Sequence, residues 1–136
     1  MRLLIDTHAL LWFCDGNPQL PPAARKAMED PTHDRFVSHA APWEVAVKLS
    51  LGKLKLQVDF AAIFPEVLDA NGFRLLPPSL SHYRQLIALP RHHGDPFDRL
   101  MICQARAEGL TIITCDPQFS AYDVPLLWSN HPTASN

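Results

Sequence analysis

The chain has 136 residues, of which 47% are hydrophobic, and its 12 Lys and Arg against 14 Asp and Glu give a formal charge of −2. This length and composition suit one domain with a single core, and they exclude a disordered chain or a fibrous repeat. No apolar run reaches the ~18 residues of a membrane-spanning helix, and Asp6 ends the first apolar run too early for a signal peptide. We therefore expect a cytoplasmic protein, in keeping with three cysteines that form no C-x-x-C pair.

Short apolar runs alternate with helical patterns along the chain, beginning with Leu3–Ile5, a run typical of a strand buried on both faces. The further predicted elements are, in order, helix 8–13, helix 21–29, strand 35–38, helix 42–51, helix 59–70, strand 73–76, a helix from Ser79 or Ser81 to about Leu89, helix 95–108, strand 111–114 and edge strand 124–128. This alternation predicts an α/β domain with a parallel sheet over residues 1–128, followed by a disordered tail over 129–136.

Aspartates follow two of the predicted strands, at the edge of the sheet where α/β proteins bind ligands. Asp6 comes directly after the first strand, and Asp116 lies two residues beyond the core of strand 111–114. If these two strands are neighbours in the sheet, the two carboxylates converge. The alternative is that each aspartate only caps the helix that follows it.

Two further aspartates begin the helix over 95–108. Asp95 followed by Pro96 is a common helix start, so Asp95 is either a cap or an acid of the site. Asp98 lies in the first turn, where its carboxylate either stabilises the helix dipole or points toward the strand ends.

Glu44 lies in a predicted helix between Trp43 and Val45, with apolar residues on nearly every side. A carboxylate in such surroundings needs a partner or a metal ion. The alternative is a weak surface ion pair with Lys48, one helical turn later.

Several carboxylates without matching basic groups repel one another unless a cation lies among them. Clusters of oxygen ligands suit Mg²⁺ or Mn²⁺, which polarise phosphoryl oxygens and activate water for phosphodiester hydrolysis. The sequence gives no support for a nucleotide-binding or serine-hydrolase site, because it has no P-loop, no dinucleotide-binding glycine motif and no G-x-S-x-G turn. His92 and His93 are adjacent and make a poor zinc pair, and His8 and His39 are only peripheral candidates near the same edge.

The order and spacing of several segments resemble those of the PIN-domain ribonucleases, specifically the toxins of VapBC-type toxin–antitoxin pairs. The segments are LIDTHALLW at 4–12, VS at 37–38, WEVAVK at 43–48, LGKL at 51–54, HGDPFDRL at 93–100, TCD at 114–116 and the stretch 122–128. Each segment alone is weak evidence for this family, but their order and spacing together are specific to it. The resemblance covers residues 2–128. The resemblance implies a three-layer α/β/α sandwich with a central, mostly parallel sheet.

The resemblance also implies a site and partners. Its four acids fall on Asp6, Glu44, Asp98 and Asp116, which would be catalytic and would hold Mg²⁺ or Mn²⁺. The third of these acids is Asp98. Asp95 is a second candidate for that position, or it assists the metal ligands without binding the metal itself. A homodimer is implied, together with a small antitoxin protein whose tail occupies the acidic pocket.

The leading hypothesis is a metal-dependent endoribonuclease that acts as a toxin, in which a metal-bound water attacks phosphorus. Basic residues expected to contact the RNA backbone, each otherwise an ordinary solvated base, are Lys48, Lys53, Lys55, Arg91 and Arg99. One alternative is an aspartate phosphatase or phosphoacceptor that uses Asp6, although His8 occupies the position of its second aspartate. The other is a non-catalytic PIN-like module that binds RNA or protein.

Overall fold

The computed structural model describes residues 1–128, so the tail predicted over 129–136 lies outside the described part of the chain. The strands are β1 Arg2–Ile5, β2 Asp34–Ser38, β3 Arg74–Leu76, β4 Thr111–Ile113 and β5 Leu126–Leu127. The helices are α1 Thr7–Asp15, α2 Pro22–Glu29, α3 Ala40–Ser50, α4 Leu68–Asn71, α5 Leu80–Ala88 and α6 Pro96–Glu108, with a short 3₁₀ helix at Pro117–Ala121. Within residues 1–128, no helix has the length and apolar character needed to cross a membrane.

All five strands are parallel and form one sheet in the order β3-β2-β1-β4-β5. The central strand is β1, in which Ile5 pairs with Val37 of β2 and with Ile113 of β4. The chain therefore leaves β1, β2 and β4 at the same edge of the sheet. The first strand and strand 111–114 are neighbours, which meets the condition under which Asp6 and Asp116 converge.

Burial of the central strand shows that helices cover both faces of the sheet. Leu3, Leu4 and Ile5 are each 0% exposed. Because successive side chains of a strand point to opposite faces, apolar material must pack on both sides of β1. The fold is the three-layer α/β/α sandwich that the sequence resemblance implied.

The helix predicted over 59–70 is only partly correct, because a kink interrupts it. The kink is at Phe64, which lies inside the π-helical segment Ala62–Val67 that leads into α4 and has non-helical torsions (φ −117°, ψ 93°). The cause is Pro65, which disfavours the helical conformation in the residue before it and cannot donate a backbone hydrogen bond. The apolar spacing remains useful, since Ile63, Phe64 and Leu68 are buried in the core.

Candidate active site at the carboxyl edge of the sheet

Asp6 lies directly after β1, where its backbone N–H donates to the carbonyl of Ile113 in β4 at 3.1 Å. Its carboxylate is buried, and Oδ2 accepts a hydrogen bond from Thr114 Oγ1 at 2.9 Å. Asp6 occupies the residue before α1 but makes no side-chain capping bond there. The capping alternative is therefore wrong for Asp6, whose carboxylate is bound to the β4 side of the edge.

Thr114 also connects Asp6 to the loop that carries Asp116. The backbone N–H of Asp116 donates to Thr114 Oγ1 at 3.1 Å. The Asp116 side chain is only partly buried, and its Oδ1 accepts from the backbone N–H of Gln118 at 2.9 Å, which caps the 3₁₀ helix. The two aspartates thus contact one threonine, and the capping alternative does apply to Asp116.

The two acids at the start of α6 have different surroundings. Asp95 caps the helix, since its Oδ1 accepts from the backbone N–H groups of Phe97 at 2.9 Å and Asp98 at 3.0 Å. Asp98 is buried, and its Oδ2 lies 3.1 Å from His93 Nε2. Of the two candidates for the third acid, Asp98 is the buried one, while one oxygen of Asp95 serves the helix terminus.

Glu44 is 2% exposed on α3, and its Oε2 accepts a bond from Lys48 Nζ at 2.5 Å. The other oxygen, Oε1, is buried and has no hydrogen-bond partner among residues 1–128. The ion pair considered from the sequence therefore exists, but its carboxylate is inside the protein and not at the surface. A buried carboxylate oxygen without a partner is costly, and it marks a place where a cation or water would be stabilising.

Contacts between α3 and its neighbours direct Glu44 toward the sheet edge. Ser38 at the end of β2 accepts from the backbone N–H of Ala40 at 2.9 Å, at the start of α3, and donates to the buried Gln104 of α6 at 2.5 Å. One turn further along, the rings of Trp43 and Phe97 pack edge to face with centroids 4.6 Å apart. These contacts fix α3 against α6, the helices that carry the buried glutamate and the buried third acid.

The acids lie close enough to perturb one another. Burial, and then the charges of neighbouring acids, raise the pKa of Asp98 from 3.8 to about 8, the neighbours in order of effect being Asp6, Asp95, Glu44 and Asp116. Burial, opposed by the nearby His8 and by the Thr114 hydrogen bond, also raises the pKa of Asp6 to about 6. Mutual repulsion of this kind is expected where several carboxylates meet without enough positive charge.

The donor set fits a hard divalent cation. It consists of carboxylates, the oxygen ligands that Mg²⁺ and Mn²⁺ prefer, and it includes the unpartnered Oε1 of Glu44. Within residues 1–128, no three His, Cys, Asp or Glu side chains already form a group that could hold a metal ion. Binding would therefore need the carboxylates to turn toward a common point, where a cation would offset their mutual repulsion.

The basic residues predicted to contact RNA are of two kinds. Lys53, Lys55 and Arg91 are exposed, whereas Lys48 is half-buried against Glu44. Although partial burial acts in the opposite direction, the hydrogen bond and charge of Glu44 raise the pKa of Lys48, which keeps the ammonium cationic.

Arg99 is not available as an RNA contact, so that prediction is wrong. It is 5% exposed, and its guanidinium donates to the backbone carbonyls of Leu89 at 3.2 Å and Pro90 at 2.9 Å and to Tyr122 Oη at 3.2 Å. The helical position beside Asp98 turns this side chain into the protein, where it anchors the loop before α6.

Sequence reasoning missed three polar residues that contact the acids or their neighbours. Thr114 binds Asp6, and His93, dismissed as half of a poor zinc pair, lies against Asp98 and Tyr122. For Thr114 a signal existed, since a threonine at a strand end lies at the same edge as Asp6. The His93–Tyr122 contact joins residues 29 apart in the chain, and no local pattern indicates it.

A family model described as the PIN domain matches residues 3–125. Solved structures of the same fold include VapBC2 from Rickettsia felis bound to a DNA fragment from its promoter, with a TM-score of 0.69 and 13% identity over 93% of this chain and 98% of that chain. VapBC-1 from nontypeable Haemophilus influenzae gives a TM-score of 0.62 and 18% identity over 93% and 97% of the two chains. For FitAcB from Neisseria gonorrhoeae the values are 0.61 and 20% over 92% and 96%. Comparison with curated proteins finds no match.

Proposed function

Because this chain belongs to the PIN-domain family, we propose that it is a metal-dependent endoribonuclease that hydrolyses RNA phosphodiesters. The observation that carries the proposal is the cluster of buried acids at the carboxyl edge of the sheet, where Asp6, Glu44 and Asp98 are 3%, 2% and 8% exposed. A protein gains no stability by burying carboxylates that repel one another, so such a cluster indicates a functional site.

PIN domains generally use divalent metal ions, and the acids here fit that use. We assign Asp6, Glu44, Asp98 and Asp116 as the ligands of Mg²⁺ or Mn²⁺ and as the catalytic residues. Bound there, the cation supplies Lewis acidity to the phosphoryl group and lowers the pKa of water for in-line hydrolysis. Asp95 is assigned an accessory role, because Asp98 is the more buried of the two acids at the start of α6.

The protein side chains hold the acids in position for this task. Thr114 fixes one oxygen of Asp6, and Lys48 binds Oε2 of Glu44, which leaves Oε1 for the site. Asp116 is the more exposed of the four ligands, so that side of the cluster is open to the solvent and to a substrate.

RNA is expected to bind through its phosphate backbone. The exposed cations Lys53, Lys55 and Arg91 supply sequence-independent attraction that weakens as the salt concentration rises. Lys48 lies beside the buried acids, where its ammonium can serve both Glu44 and a nearby phosphate. These contacts position the RNA without selecting its sequence.

We also propose that the protein is the toxin of a toxin–antitoxin pair, homodimeric and cytoplasmic, with a small antitoxin whose tail blocks the acidic pocket. Support comes from the sequence resemblance and from neighbours of the same fold that are VapBC complexes, one of them bound to promoter DNA. A basic group on the antitoxin tail would offset the negative charge of the acids much as a cation does.

RNA cleavage by antitoxin-free protein tests the proposal. We expect total RNA to be cut in Mg²⁺ or Mn²⁺, to stay intact with a chelator, and to stay intact with the Asp6→Asn variant. Asp69→Asn, which changes an exposed acid on α4, is the matched control and is expected to cleave normally. Full cleavage by Asp6→Asn would refute the assigned site. Intact RNA with wild-type protein in both metals would favour the non-catalytic module, and a phosphoryl group trapped on Asp6 would favour the phosphatase.

A further inference from the structure

A continuous hydrogen-bond network ends on the buried acid of α6. Arg99 Nη1 donates to Tyr122 Oη at 3.2 Å, Tyr122 Oη lies 2.7 Å from His93 Nδ1, and His93 Nε2 lies 3.1 Å from Asp98 Oδ2. The backbone N–H of His93 also donates to Tyr122 Oη, at 3.2 Å. The His93 side chain is 7% exposed, so water competes little for these bonds.

The donors and acceptors in this network determine which nitrogen of His93 carries the proton. Tyr122 Oη already accepts two hydrogen bonds, one from Arg99 and one from the backbone of His93, and neither donor can act as an acceptor. The hydroxyl hydrogen of Tyr122 is therefore free to be donated to Nδ1. An Nδ1 that accepts is unprotonated, so the proton of the neutral imidazole lies on Nε2 and is donated to Asp98.

The network also joins the parts of the chain that carry two of the acids. Arg99 holds the loop before α6 through the carbonyls of Leu89 and Pro90, and Tyr122 directly follows the 3₁₀ helix that Asp116 caps. The imidazole of His93 lies between these two elements, with its ring centroid 5.4 Å from that of Tyr122. One histidine thus connects the start of α6 to the segment after β4.

We propose that His93 is a positioning residue, held by Tyr122 as the Nε2–H tautomer so that it fixes one oxygen of Asp98 and leaves the other for a divalent cation. This inference rests on the proposed metal-dependent function. A donor bonded to a carboxylate ligand sets the orientation of that ligand, and loss of such a donor typically weakens metal binding about 10–100-fold. His93 itself is assigned no contact with the metal or the substrate.

The test compares three variants of the full chain with a control. His93→Leu removes the donor, His93→Gln keeps an N–H near the position of Nε2, and Tyr122→Phe removes only the hydroxyl that fixes the tautomer. His92→Gln is the control, because His92 is exposed and packs on Tyr122 with ring centroids 4.8 Å apart. Mn²⁺ affinity is measured by titration calorimetry, and the imidazole tautomer is read from nitrogen chemical shifts of histidine-labelled protein.

We expect His93→Leu to bind Mn²⁺ at least about tenfold more weakly and His93→Gln to recover most of that loss, with the control unchanged. The wild-type spectrum should show His93 protonated at Nε2, and Tyr122→Phe should shift it toward a mixture of tautomers. If His93→Leu fails to fold, the Gln and Phe variants still decide the question. Wild-type Mn²⁺ affinity in all three variants, or a wild-type His93 protonated at Nδ1, would overturn the proposal.

The calorimetric and spectroscopic results separate this proposal from the nuclease assignment. If wild-type protein cuts no RNA while the variants weaken Mn²⁺ binding as expected, the ribonuclease proposal fails and the positioning role is supported. If RNA is cut and Mn²⁺ binding is insensitive to His93, the positioning role is wrong and the ribonuclease proposal is unaffected.

Discussion

Replacing Asp98 with asparagine should stabilise the metal-free protein at neutral and alkaline pH. The change keeps the shape of the side chain and removes one charge from a buried cluster of acids. In the unfolded chain this carboxyl ionises near its ordinary value of 3.8, whereas in the folded protein burial and the neighbouring acids raise the pKa to about 8. The native carboxyl therefore holds a proton that the unfolded one has lost, and folding becomes less favourable as the pH rises between these two values.

The size of the effect follows from the same two values. One pKa unit corresponds to about 1.4 kcal/mol, so a shift from 3.8 to about 8 sets an upper limit of roughly 6 kcal/mol on the cost of ionising Asp98. Local rearrangement and water entry reduce such costs, and we expect Asp98→Asn to gain on the order of 2 kcal/mol above pH 8. The gain should shrink as the pH falls and approach zero below pH 3.8, where the carboxyl is protonated in both states.

Urea unfolding of chelator-treated protein from pH 5 to pH 9 measures this difference. Asp69→Asn, an exposed acid on α4, is the control and should change the free energy of unfolding by less than about 0.5 kcal/mol throughout. Mg²⁺ should stabilise the wild type and have little effect on Asp98→Asn. A variant that is less stable than wild type at pH 8.5, or a difference in stability that does not depend on pH, would contradict this prediction.

Three further substitutions test individual contacts of the site. Lys48→Met leaves the buried Glu44 without its ion-pair partner and should destabilise the metal-free protein by about 2 kcal/mol in urea unfolding, a loss that Mn²⁺ partly restores; an unchanged midpoint would show that the pair contributes nothing. Thr114→Val removes the bond that lowers the pKa of Asp6, so the acidic limb of the pH–rate profile for RNA cleavage should move to higher pH, and an unmoved limb would contradict this. Arg91→Ala should raise KM for RNA about threefold at low salt with kcat unchanged and should reduce the salt dependence of binding, whereas an unchanged KM would remove Arg91 from the RNA surface.

The parts of the fold that local chemistry determines were predictable from the sequence. An unbroken apolar run at Leu3–Ile5 indicates a strand covered on both faces, and the aspartate that ends it necessarily lies at the carboxyl edge of that strand. Parallel strands bring their carboxyl ends to one edge, which is why Asp6 and Thr114 meet although 108 residues separate them. The order of the strands in the sheet is therefore enough to bring these two residues together.

Residue environments that depend on packing were not predictable in the same way. The sequence gives no reason to distinguish Arg99 from Arg91 as an RNA contact. In the structure Arg99 is buried and its guanidinium donates three hydrogen bonds, whereas Arg91 is exposed. The difference arises because position 99 faces the loop that precedes α6. Glu44 and Lys48 form the pair that their spacing suggests, but burial of the carboxylate follows from how α3 packs and not from that spacing.

The kink in the helix predicted over 59–70 differs from these cases, because a residue in the sequence did indicate it. The apolar spacing fitted a helix, and Pro65 at its centre argued against an unbroken one. Hydrophobic periodicity records which side chains face the core, and it is satisfied here by two helical pieces as well as by one.

The proposed function requires that the mutually repelling carboxylates at the edge of the sheet bind a cation. Calorimetric titration of the antitoxin-free protein with Mn²⁺ tests it most directly, with wild type, Asp6→Asn, Glu44→Gln and the control Asp69→Asn compared side by side. We expect the wild type and the control to bind Mn²⁺ and the two site variants to bind it at least about tenfold more weakly. Absence of Mn²⁺ binding to the wild-type protein, or equal affinity in all four proteins, would contradict it.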